Sequence, residues 1–97
     1  MERKEFIFVV SHAQCVNGEY THWMRYYFKN WSLASEQMDA ILDVTNRCDL
    51  GGLGNVKRDH EASSFGDSVY NLFDHMGEEY YRVVLSSEEI STKVNKI

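Results

Sequence analysis

The sequence predicts a two-layer α+β domain, with a three-stranded antiparallel sheet and two helices packed on one of its faces, in the order β-β-α-α-β. Three observations carry this reading. Asn17-Gly18 separates two runs of alternating character, two central stretches place apolar residues at helical spacing, and Tyr80–Leu85 alternates again. At 97 residues the chain makes one small domain, 1–97, able to bury roughly two-thirds of its unfolded surface.

The first two strands are predicted over Glu5–Val16 and Glu19–Trp31. Asn-Gly supplies the two positive φ angles of a type I′ turn, and a two-residue turn sets the register. Val16 then opposes Glu19, His12 opposes Trp23 and Phe6 opposes Lys29. One face collects Ile7, Val9, Ala13 and Cys15 with Phe28, Tyr26, His22 and Tyr20, and is expected to meet the core. The other collects Phe6, Phe8, Val10 and His12 with Lys29, Tyr27, Arg25 and Trp23. A slip of one residue exchanges every assignment.

Ser32 is the expected N-cap of a helix reaching Arg47 or Cys48, with Ala34, Met38, Ile41, Leu42 and Thr45 inward and Glu36, Asp39 and Asp43 outward. Gly51 and Gly52 end it, and Leu50–Ser63 reads as a loop. Ser64-x-x-Asp67 resembles a capping box, and Phe65, Val69, Leu72, Phe73 and Met76 make the apolar stripe of a second helix stopping at Gly77. Its outer face would hold Asp67, Asn71, Asp74 and Glu78. After the strand Tyr80–Leu85, Ser86-x-x-Glu89 starts a short helix carrying Ile90, Val94 and Ile97, or a tail that frays.

Composition narrows the function classes. The formal net charge is −5, so a generally basic nucleic-acid surface is not expected. No run approaches the ~20 apolar residues of a membrane span, and Phe6–Val10 is too short for a signal core, so a soluble, cytoplasmic protein is expected. Two cysteines are too few for a disulfide framework, and Cys15 and Cys48 are read as reduced. His12-x-x-Cys15 would point to opposite faces of one strand, so no metal centre is expected. The glycines Gly51, Gly52 and Gly54 follow a helix and lack the spacing of a phosphate loop. With no catalytic motif and no cofactor signature, the chain is expected not to be an enzyme.

Two surfaces remain as candidate binding sites. If the third strand joins in matching orientation, the mixed sheet face assembles Phe8, Trp23, Arg25, Tyr27, Lys29, Tyr80 and Arg82, a pattern suited to a protein interface or to stacking bases between phosphate contacts. Cross-strand packing of rings and cationic stems produces the same pattern without a ligand. The second surface is acidic. Ser32–Glu79 holds ten carboxylates against three cations, and Glu36, Asp39, Asp43, Asp67, Asp74 and Glu78 would line the helical faces. Such a surface can imitate a phosphate backbone, or simply keep the protein in solution.

The leading expectation is a protein-binding module in the style of a small phage or mobile-element inhibitor, blocking a host protein that handles nucleic acid. The alternative is a single-strand nucleic-acid binder using the aromatic–basic face. A homodimer formed through the sheet face or the hairpin edge competes with both.

Overall fold

The computed structural model describes residues 4–63 and 67–91. These residues form five strands and one helix: β1 (Lys4–Val16), β2 (Glu19–Phe28), α1 (Trp31–Asp49), β3 (Asn55–Arg58), β4 (Ser68–Phe73) and β5 (Glu79–Ser91). The strands form one antiparallel sheet in the order β2-β1-β5-β4-β3. This corrects the expected three-stranded sheet with two helices. Among the described residues no helix is long and apolar enough to cross a membrane.

The hairpin turn forms as its residues dictate, with φ of 53° at Asn17 and 80° at Gly18. The register set by that turn holds for Val16↔Glu19, Cys15↔Tyr20 and Gln14↔Thr21. It then slips. His12 pairs with Met24, so His22 and Trp23 together stand opposite Ala13. His22 takes φ 60°, a left-handed conformation that a non-glycine residue adopts at a bulge at some cost. Beyond it, Val10 meets Tyr26 and Phe8 meets Phe28. The expected division of β2 into Tyr26 and Phe28 against Trp23, Arg25 and Tyr27 therefore stands, but the β1 residues matched to each side are exchanged. Phe8, Val10 and His12 face the helix, and Val9, Ser11 and Ala13 face away.

The core lies between α1 and one sheet face. Ala34, Met38 and Leu42 from the helix meet Val10, Leu72, Val83 and Leu85 from the strands, with Phe8, Phe28, Ile41, Tyr70, Tyr80 and Tyr81 packed around them. The helix cap is Asn30, whose Oδ1 accepts from Leu33 N–H at 2.9 Å, where Ser32 was expected. At the other end the backbone of Leu50 and Gly52 donates to the Asn46 carbonyl. Gly54 N–H donates to Asn46 Oδ1 at 2.7 Å, and any side chain at Gly54 would collide with Asn46 and Leu50.

The predicted second helix is β4 instead. Val69, Leu72 and Phe73 satisfy a helical spacing, yet Ser68–Phe73 is short, β-branched and aromatic, which also suits a strand buried on both sides. Leu72 is buried on the helix side, and Val69 and Asn71 on the other. The Ser64 cap and Phe65 lie outside the described residues, as do Val94 and Ile97 of the expected C-terminal helix. The part of that helix that is described, Ser86–Ser91, continues β5 and pairs with Lys4–Val9. Asn55–Arg58, expected within a loop, forms β3, an edge strand with all four residues exposed and hence without a buried periodicity.

His12 sits inside this core at 8% exposure, stacked on Tyr26 with ring centroids 5.6 Å apart and bonded through Nδ1 to the Tyr81 hydroxyl. Among the described residues its Nε2 is buried without a partner. Burial therefore holds its pKa below the ordinary 6.5 and keeps the ring neutral.

Two outcomes follow from this packing. Leu72→Ala removes a side chain buried between helix and sheet and is expected to cost roughly 2–5 kcal/mol in denaturant titration, whereas a solvent-facing site would lose little. The His12 pKa is lower folded than unfolded, so the unfolded chain takes up its proton first. Stability is thus expected to be full above pH 6.5 and to fall as pH drops below it toward the folded-state pKa. Thermal melts at a series of pH values check this, and His12→Gln should flatten the dependence in that window.

Candidate partner-binding cleft

The sheet face opposite α1 carries a cleft of about 420 Å³ lined by Ser11, Trp23, Arg25, Asp67, Val84 and Ser86. Three adjacent strands build it. β2 contributes Trp23 and Arg25, β1 contributes Ser11, and β5 contributes Val84 and Ser86, while Asp67 comes from the residues leading into β4. The cross-strand pairs Ser11↔Arg25 and Ser11↔Val84 set the spacing, with a small side chain at the centre leaving room between the flanking ones.

The rim is aromatic and cationic. Trp23 is 49% exposed and Tyr27 is 55% exposed. Arg25 lies between them in sequence, with its guanidinium 5.9 Å from the Tyr27 ring centre and Nη2 donating to Glu88 Oε1 at 3.0 Å. Arg25 and Glu88 are both about half exposed, so the pair positions the guanidinium more than it stabilises the fold. Behind Trp23 the Tyr20 ring stands 5.9 Å away at 52°.

A second polar group lies beside this rim and is fully engaged. Arg82 stacks over the Tyr20 ring at 4.4 Å, donates from Nε to Asn71 Oδ1 at 3.0 Å and from Nη2 to Asp59 Oδ2 at 2.9 Å. Glu79 is 3.9 Å from the same guanidinium. The Ala62 N–H, first, and then Asn71 and Arg82 hold the Asp59 carboxyl below its ordinary pKa. Burial, with Glu79 adding to it, pushes both the Tyr20 phenol and the Cys15 thiol up. Cys15 is therefore a protonated, weakly nucleophilic thiol. Among the described residues no group of three or more His, Cys, Asp or Glu is placed to hold a metal ion.

Of the seven residues expected on the aromatic–basic face, Trp23, Arg25, Tyr27 and Arg82 share this side of the sheet. Phe8 does not. The bulge turns it toward α1, where it pairs with Phe28. Tyr80 also lies on the helix side, because the β4–β5 register shift makes it an extra residue between Tyr81 and Glu79, and its hydroxyl donates to Asp49 Oδ2 at 3.0 Å. Lys29 is exposed just beyond the end of β2.

The acidic residues do not form one helical surface. Glu36, Asp39 and Asp43 are exposed on α1, where Arg47 pairs with Asp43 at 2.9 Å. Asp67 lines the cleft on the opposite side of the sheet. Asp74 and Glu78 belong to the β4–β5 turn, where Asp74 Oδ1 accepts from the Met76 and Glu78 N–H groups at 2.9 and 3.0 Å. The second helix that was to carry these three is absent, so the surface divides.

Ser11, Val84 and Ser86 line the cleft and Glu88 holds the Arg25 guanidinium beside it, and the sequence reading singled out none of the four. They enter only through the β1–β5 pairing, which joins segments some seventy residues apart; its one local signal was the alternation of Tyr80–Leu85, read as stopping before Ser86. Comparison of the chain with protein-family models, with curated proteins and with solved structures finds no match.

Proposed function

We propose that this domain is a non-enzymatic, cytoplasmic protein-binding module that engages its partner through the sheet face opposite α1, centred on Trp23, Arg25 and Tyr27. The observation that carries the reading is the half-exposed Trp23 and Tyr27 flanking a positioned Arg25 beside a cleft. Trp, Tyr and Arg are the side chains that dominate interface energies when a partner excludes water from them. Here they stand on a strand, so little backbone entropy remains to be lost on binding.

The polar groups on this face support binding over chemistry. Arg82 and Asp59 are consumed by each other and by Asn71, and Cys15 is held as the thiol. They also count against a stacking platform for single strands. Arg25 is already paired with Glu88, and Phe8 and Tyr80 face the helix, so two rings, one shared cation and Lys29 beyond the strand end are left. The acidic side of α1, reduced to Glu36, Asp39 and Asp43, is too narrow to serve as the primary surface in this reading.

The test is affinity capture from nuclease-treated lysate, with the identified partner then titrated against purified variants. Trp23→Ala is expected to weaken binding by about 2 kcal/mol or more, roughly thirtyfold, with the melting curve unchanged. Retained affinity in both Trp23→Ala and Tyr27→Ala would remove the reading, and capture that vanishes with nuclease would transfer it to nucleic acid.

A further inference from the structure

The two edges of the sheet are unlike. β3 is four residues long and carries Lys57 and Arg58, the short charged form that discourages pairing. β2 is the other edge, and past its bulge Trp23–Phe28 runs six residues without glycine or proline and with a single charge, Arg25, that Glu88 already balances. Both faces of this edge expose apolar surface, with Trp23 and Tyr27 on one side and Met24 at 51% and Tyr26 at 37% on the other.

We propose that this edge pairs with the β2 edge of a second copy, antiparallel about a two-fold axis at Tyr26. The register follows by elimination. Two-fold antiparallel pairing sets residues of the same face opposite one another, so the axis must pass through a residue. An axis at Arg25 brings two guanidiniums face to face. An axis at Met24 sets Tyr26 against His22, inside the bulge where the ladder is broken. An axis at Trp23 also runs into the bulge, one at Tyr27 sets Arg25 against Lys29, and one at Phe28 carries the pairing past the strand end, so the axis at Tyr26 is the one left. Arg25 then opposes Tyr27 of the second copy, twice by symmetry, as a cation over a ring, and Met24 opposes Phe28 on the helix side. The half-exposed side chains and the backbone edge together cover on the order of 1,000 Å² over the two copies, the lower end for a specific interface, so a concentration-dependent dimer results. The proposal does not need the heterologous partner and is read on the purified chain alone, although Arg25 and Tyr27 belong to both surfaces. It uses the edge of the sheet, and a dimer would leave the two clefts side by side on one continuous ten-stranded sheet.

Sedimentation velocity of the purified chain over a concentration series tests it, with Tyr27→Lys and Tyr27→Glu as paired variants. Tyr27 is outside the core cluster, and both variants are expected to melt as the wild type does. Lysine at 27 faces Arg25 of the second copy and is expected to weaken the dimer by roughly tenfold, while glutamate faces the same cation and keeps it at least as tight as wild type. A wild-type chain that stays monomeric at roughly millimolar concentration overturns the proposal. So does a dimer that responds equally to both charges. If either Tyr27 variant fails to melt cooperatively, Met24→Lys, opposite Phe28, replaces it, and an undiminished dimer in that variant overturns the proposal equally.

Discussion

Everything in this molecule is arranged around β1. Its thirteen residues pair with β2 from Phe8 to Val16 and with β5 from Lys4 to Gln14. A strand with neighbours on both edges has its backbone groups satisfied, and so it can carry aliphatic side chains on both faces without cost. Val9 and Ala13 on one side and Val10 on the other are fully buried. The helix is laid against one face of this strand and its neighbours, and the cleft is cut into the other. Because both are referenced to the same backbone, a change in register at β1 would disturb core and cleft together.

Arg82 plays the corresponding part on the face away from the helix. It touches Tyr20 of β2, Asn71 of β4 and Asp59 from the connection after β3. With guanidinium and carboxylate both about four-fifths buried, the Arg82–Asp59 pair is worth more than an exposed one, and Asn71 Oδ1 accepts from the Arg82 Nε–H beside it. One side chain thus ties the residues before β4 to the sheet and steadies the wall against which Trp23 stands.

How much of this could be read from the chain depends on the distance over which each feature is specified. The Asn17-Gly18 turn and the amphipathic pattern of α1 are local, and both are where the residues place them. β4 was hidden because a strand covered on both sides loses its polar alternation and its apolar positions fit a helix equally well. β3 was hidden by the opposite circumstance, having no buried face. The C-terminal half of β5 is polar, and only its long-range pairing with Lys4–Val9 makes it a strand. At the cleft, Trp23, Arg25 and Tyr27 were visible from alternation within β2 alone. Phe8 was misplaced because a single extra residue at His22 reverses the correspondence between β1 and β2, and nothing local marks that bulge. Tyr80 was misplaced for the same kind of reason.

The strand order has a kinetic meaning as well. β1–β2 is one hairpin and β4–β5, extended by β3, is a second group, and each can form from neighbouring residues. The seam between them joins β1 to β5, with contacts such as His12 to Tyr81 separated by 69 positions. Closing a loop of that length must be offset before the seam's contacts are gained, so contact order makes the joining of β1 to β5 the expected slow step in reaching this fold. During synthesis the segment that bears Trp23, Arg25 and Tyr27 is made before β5, and the inner edge of its hairpin gains its pairing strand only when β5 follows. The interval before that arrival is when the chain is most exposed to pairing with the wrong strand.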